Sequence, residues 1–226
     1  ALRDRAEGLA RVRDAAEDVL ALEPDLVVRS YGGGARARAF YARLGVAVHD
    51  LGYANDFDDV RAMIRRAAQA LGHPERGETL IEQMDADLAA AANGPRLTAL
   101  YMTPSGVTAG SGTVIDSLLE AANFENAAAR DGAAGWRSLP LESLIDREPD
   151  LVVTAFFDGA SAPRDSWAMA RHPVFQALFE RSVRIELDGA DVSCSAWTLA
   201  AAARRARELA NARVTQTAAS SPDAAP

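Results

Sequence analysis

Apolar residues follow two rhythms along this chain: short runs rich in β-branched side chains, and longer stretches with an apolar position every three or four residues. The runs ending at Val28 and spanning 46–51, 97–102, 151–156 and 183–187 predict strands buried on both faces. The segment 56–71 places Val60, Met63, Ile64, Ala67 and Leu71 at helical spacing, and 74–92 does the same with Leu80, Ile81, Met84 and Leu88. Gly72 and Pro74 punctuate these two long helices. Further helices are predicted over 35–44, 114–122, 174–179 and 197–211. Glycine-rich turns follow two of the strands, as YGGG after the first and TPSGVTAGSGT after 97–102. Strands alternating with helices throughout predict an α/β fold with parallel-type sheets flanked by helices.

One stretch is spelled twice. The hexapeptide EPDLVV occupies 23–28 and again 148–153, and the wider windows EDVLALEPDLVV and ESLIDREPDLVV agree at seven of twelve positions. Each copy carries a short helical turn, a proline that stops it, an aspartate and a buried strand. A solenoid needs about three or more copies at a fixed period, so two distant copies predict two similar lobes instead. The organisation that follows is an N-terminal lobe over 1–55, inter-lobe helices over 56–92, a C-terminal lobe over 93–211, and a disordered tail over 212–226 whose hydrophobicity is low.

Composition narrows the function classes. The 226 residues suffice for one large or two small domains, and 49% apolar with 25% charged residues is ordinary for a globular chain. No apolar run approaches the roughly 20 residues of a membrane span. A net charge of -8 argues against nucleic acid as partner, since phosphate neutralisation needs a basic face. All 24 basic residues are arginine and alanine is abundant, which reads as the imprint of a GC-rich coding bias. Cys194 is the only cysteine, so neither an internal disulfide nor a cysteine-based metal site is expected.

Catalytic signatures are sparse. Gly32, Gly34 and Ala37 fit G-x-G-x-x-A after a strand, with Asp50 ending the next, which opens an alternative reading as an NAD(P)-dependent enzyme beside the plain glycine turn. There is no G-x-S-x-G, H-E-x-x-H or Walker loop, and His49, His73 and His172 nominate no triad. Glu17 and Glu142 stand equally far ahead of the two repeats, each in the first turn of a short predicted helix. Capping explains each singly, because carboxylates favour the positive helix end, yet it does not require a matched pair. Tyr31, Tyr53, Tyr101, Trp136, Phe156, Phe157 and Trp197 fall mostly at strand ends or in the loops after them, where open α/β sheets bind ligands. Trp136 stands out, in a loop of glycine, arginine and serine that offers no core neighbours.

The segments ALEPDLVV, ARLGVAVHDL, DDVRAMIRRAAQALG, TAGSGTVIDSLLEAANFENAA, LPLESLIDREPDLVV and HPVFQAL, in this order, carry a family resemblance. The chain resembles the solute-binding proteins of ABC importers for ferric siderophores and cobalamin. That resemblance spans about 14–210 and implies two α/β lobes joined by a long inter-lobe helix, a monomer without cofactor or catalytic activity, a ligand held in the cleft, and export across the cytoplasmic membrane. It implies that Glu17 and Glu142 meet arginines on an ABC permease dimer, a bidentate geometry that would set register. It also implies a cleft lined by Tyr31, Tyr101, Thr103, Trp136, Asp191 and Trp197, with Arg29 and Arg137 nearby. An arginine facing that cleft would favour an anionic ferric siderophore over cobalamin, because a desolvated guanidinium needs a charged or strongly accepting partner. Haem-binding relatives place a ligating tyrosine shortly before the first-lobe glutamate, whereas residues 9–16 contain none. Relatives also carry a further strand and helices upstream, so the resemblance implies a first lobe lacking its N-terminal part.

Overall fold

The computed structural model describes residues 6–12, 15–30, 35–140, 142, 149–156 and 172–220. The chain divides into two compact units, Ala1–Tyr53 and Ala54–Pro226.

The first unit holds α1 (Ala16–Leu20), β1 (Leu26–Arg29), α2 (Ala35–Arg43) and β2 (Ala47–Asp50). β1 and β2 pair in parallel, from Leu26 opposite Ala47 to Arg29 opposite Asp50. Gly45, at φ 72°, ends the turn after α2 in the left-handed conformation that glycine adopts without steric cost. Tyr41 is buried, and its carbonyl accepts from Val46 at 3.1 Å, which fixes the return of the chain into β2.

The second unit is built on a four-stranded sheet in the order β5-β3-β7-β8, formed by β5 (Phe124–Asn126), β3 (Leu97–Met102), β7 (Leu151–Ala155) and β8 (Val183–Leu187). Every pairing in it is parallel. The central strands obey a strict period of two, which sorts their side chains between two cores. Ala99 and Tyr101 of β3 and Leu151, Val153 and Ala155 of β7 join one hydrophobic cluster, while Leu100, Met102 and Val152 join the other. Both faces are covered, which is why these strands read as unbroken apolar runs.

The first face is covered by α3 (Phe57–Ala70), α4 (Pro74–Ala91), α5 (Val114–Ala121) and α9 (Thr198–Ser220). On the other face lie α6 (Ala127–Arg130) and α7 (Pro173–Arg181), whose Phe175 and Leu178 are fully buried. Helix starts follow their sequence signals. Asp56 accepts from the Asp59 amide at 2.7 Å at the head of α3, and Thr113 accepts from the Asp116 amide at 3.1 Å at the head of α5. The close crossing of α3 and α4 depends on Gly77, where an added Cβ would stand 2.5 Å from the Ala68 Cβ. Arg61 to Asp85 at 2.6 Å and Arg65 to Glu78 at 2.8 Å flank that crossing.

The structure departs from the sequence reading in short strands, at one helix end, and in strand burial: β1, β2 and β8 are not buried on both faces, with Val28, Ala47, Arg184 and Glu186 exposed. The helices assigned to an inter-lobe connection pack into the second unit's core. Of three strands of three residues, β4 (Val107–Ala109) and β6 (Trp136–Ser138) stand where loops were expected, and β5 where no element was assigned. α9 runs to Ser220 instead of ending near residue 211, so 212–220 are helical and the assignment of a disordered tail from 212 is corrected for them. Alanine-rich sequence without glycine or proline before Pro222 allows that extension.

Candidate functional site

Parallel strands end on a common edge, and in the second unit the carboxyl ends of β3, β7 and β8 bring together residues from separate loops. After β3 the chain makes a tight turn: Gly106 donates to the Thr103 carbonyl at 2.9 Å, and the Thr103 amide donates to the Val107 carbonyl at 3.0 Å. The Thr103 and Ser105 hydroxyls lie 3.0 Å apart. This returns the chain as β4, which pairs antiparallel with β6 and sets Ala109 opposite Trp136. The buried Thr108 hydroxyl donates to the Tyr101 carbonyl at 2.7 Å and ties β4 back onto β3.

Trp136 is thereby fixed beside the end of β3. Its indole meets the Tyr101 ring edge-on, with centroids 6.1 Å apart and planes at 76°. Tyr101 is 1% exposed and Trp136 is 46% exposed, so the buried ring supports the open one. Burial pushes the Tyr101 phenol well above its ordinary range and keeps it neutral. Tyr101 is thus placed behind Trp136, buried at the end of β3. Arg137 follows Trp136 on β6 and is exposed, but neighbouring strand residues project to opposite faces, so the two do not share one.

At the end of β7, Phe156 adopts φ 69°, a conformation rare for a bulky side chain, and leaves its ring 37% exposed. At the end of β8, Asp188 accepts from the Ala190 amide at 2.8 Å and starts α8 (Gly189–Val192). Partial burial, and then the neighbouring Asp188 carboxylate, raise the Asp191 pKa above the usual aspartate range. The Thr198 hydroxyl donates to the Asp191 carbonyl at 3.0 Å, holding the start of α9 and the adjacent Trp197, 38% exposed, against α8. Thr103, Phe156 and Asp191 thus follow the carboxyl ends of three neighbouring strands, with Trp136 beside the first and Trp197 beyond the third.

The first unit places its candidates differently. Arg29 ends β1 opposite Asp50, with its Nε 3.6 Å from the carboxylate and its side chain 11% exposed. Arg38 also pairs with Asp50. The carboxylate that a dinucleotide would need for a ribose hydroxyl is held by two guanidiniums, and Arg29 is committed to the same cluster. Tyr31, Gly32, Gly34 and Phe157 lie outside the described residues. Glu17 sits in the first turn of α1 and is exposed; Glu142 is exposed, and most residues around it lie outside the described set. Among the described residues no group of three or more His, Cys, Asp or Glu is placed to hold a metal ion, and no helix is long and apolar enough to cross a membrane.

Residues 10–178 match the family described as periplasmic binding protein. The chain belongs to this family. The periplasmic heme-binding protein RhuT from Roseiflexus sp. RS-1 superposes with a TM-score of 0.64 at 26% identity, covering 88% of this chain and 81% of that one. The periplasmic heme-binding protein BhuT in complex with two hemes gives 0.69 at 26% identity, covering 92% and 85%. The periplasmic vitamin B12 binding protein BtuF of Vibrio cholerae gives 0.60 at 18% identity, covering 88% and 78%, and shares the fold. Comparison with curated proteins gives no match. Membership and neighbours together support a substrate-binding role in an ABC importer.

The sequence reading missed Phe156 as a candidate lining residue, although it stood among the aromatics at strand ends. A glycine or asparagine at that position would have signalled left-handed backbone; a phenylalanine does not.

Proposed function

We propose that this protein captures a metal chelate outside the cytoplasmic membrane, a ferric siderophore in preference to cobalamin, and delivers it to a dimeric ABC permease as a monomer. The observation that supports this is the exposure of three aromatic residues, Trp136, Phe156 and Trp197, in the loops beyond carboxyl ends of the parallel strands of a periplasmic binding protein. Aromatic faces bind large, partly apolar ligands with little loss of side-chain entropy, and polar groups such as Thr103 and Ser105 supply orientation. With Arg29 engaged by Asp50 and Arg137 on the face of β6 opposite Trp136, neither arginine lends its charge to selecting an anionic chelate on the Trp136 side. Glu17 and Glu142 are the docking carboxylates for permease arginines. Haem is the second reading, favoured by the two heme-binding proteins at 26% identity.

A tryptophan-fluorescence titration tests this with a ferric siderophore, cyanocobalamin, hemin and NAD(P) as ligands. Saturable quenching by one chelate or corrinoid, lost in Trp136→Ala, is the expected result. Quenching by hemin alone selects the second reading, and a response to NAD(P) alone overturns both.

A further inference from the structure

Phe156 follows the last residue of β7, which lies between β3 and β8 in the sheet. Its backbone is left-handed at φ 69°. For a β-carbon-bearing, bulky residue this conformation is an outlier, and such strain persists only where the surroundings enforce it. The enforcing contact is visible. A Cβ added at Gly189 would collide with Cδ1 of the Phe156 ring and stand 2.7 Å from its Cε1. One edge of the ring therefore rests on bare backbone at the start of α8, and 37% of the residue remains open to solvent. Among the described residues, Ala155 belongs to a buried hydrophobic cluster of the core, while Phe156 after it stands at the surface against Gly189.

We infer that Phe156 is a specificity-determining residue of the ligand site, and that Gly189 is its positioning residue. Resting on the importer reading above, this narrows the ligand to chelates that present a flat conjugated face: an aryl or catecholate ring, or a tetrapyrrole. A ring locked at one place stacks on another ring with its orientation already set, so the entropy of ordering is small. An aliphatic hydroxamate chelate offers no such face and gains nothing from the lock.

The experiment measures binding by the full chain to a ferric tris-catecholate, a ferric trihydroxamate, cyanocobalamin and hemin, using wild type, Phe156→Ala, Phe156→Leu, Gly189→Ala and the Gly189→Ala/Phe156→Ala double variant. Circular dichroism checks that each variant keeps its fold, and Phe156→Leu preserves apolar bulk should the alanine variant fail to fold. Wild type should bind a conjugated probe, with Phe156→Ala and Phe156→Leu each weakening it about tenfold, within the range seen for single stacking contacts. Gly189→Ala should weaken binding too, but add no loss once Phe156 is alanine, because its only action is to move the ring. Equal affinity in wild type and both Phe156 variants would overturn the inference and leave the importer reading intact. So would binding of the trihydroxamate alone. Binding of no probe by wild type would overturn both.

Discussion

Among the described residues Arg207 is the largest fully buried side chain, at 1% exposure, and its partners are carbonyl groups. Its Nε donates to the Ala122 carbonyl at 2.8 Å, Nη1 to Pro95 at 3.0 Å and Nη2 to Asn123 at 3.0 Å, while the guanidinium lies 4.3 Å over the Phe124 ring. Ala122 is the C-cap of α5, so a cation occupies the negative end of that helix and satisfies carbonyls that have no partner within it. Burial lowers the arginine pKa from its ordinary value, the direction expected when a charge leaves water. Arg207→Leu keeps the apolar stem and strands the carbonyls, and should cost about 2 to 4 kcal/mol in urea unfolding. Arg207→Lys should recover little of that, since an ammonium cannot reproduce the planar fork. Asp191 acts in the opposite sense. Its folded pKa is raised by burial and by Asp188, so the folded state holds the proton more tightly than the unfolded chain. Stability from this group is complete below the ordinary aspartate range and is lost as pH rises through the raised value. Asp191→Asn should therefore be more stable than wild type at neutral pH, with the gap closing on acidification; a gap independent of pH in thermal melts would refute the assignment.

At the scale of elements, the arch of β4 and β6 shows what sequence could and could not reveal. Strands β3 and β7 were legible as near-continuous apolar runs, β8 by the alternation of Val183, Ile185 and Leu187 with Arg184 and Glu186, and the long helices because two or more turns repeat. A strand of three residues has no period, and β4 finds its partner about thirty residues away, from Val107 opposite Ser138 to Ala109 opposite Trp136. Trp136 was legible as an open indole, 46% exposed; its edge-on contact with the core ring of Tyr101, and the arch that presents it, were not. The arch closes through Gly110, whose amide donates to Gly135 at 2.9 Å, while Ser111 donates to Ala133 at 2.9 Å. A Cβ on Gly110 would collide with the Ala133 carbonyl, a backbone atom that cannot swing aside. Gly110→Ala should destabilise the protein by about 1 to 3 kcal/mol, the range for overpacking. It should also shift the Trp136 emission by moving the indole off Tyr101, a change that a stability loss elsewhere would not produce below the melting transition.

Over the whole molecule, the repeated sequence does different work in its two copies. In the second, Asp150 accepts from the Thr98 amide at 2.7 Å and from its hydroxyl at 2.8 Å, and so pins the start of β7 to β3. In the first, Asp25 is exposed at the start of β1, and Glu23 before it takes φ 50°. What the copies share is placement: Glu17 and Glu142 each stand eight residues ahead of the repeated aspartate, on separate units, and both are exposed. Exposure is the ordinary state of a glutamate, and the matched spacing is not a stability device, since an exposed carboxylate in a helix's first turn contributes only about 0.3 to 1 kcal/mol. In the docking proposal, a partner with two equivalent subunits would take one carboxylate from each unit. Exposed pairs are worth only about 0 to 1 kcal/mol each, so the two together should set register and contribute little to ligand capture. Glu17→Ala or Glu142→Ala alone should slow uptake, and the double variant should abolish permease-dependent uptake while its ligand affinity by fluorescence titration matches wild type. Charge reversal on the permease arginines, paired with Glu17→Arg and Glu142→Arg, should restore transport. Ligand affinity falling in step with transport would instead place these carboxylates at the ligand, and the symmetric docking would have to be abandoned.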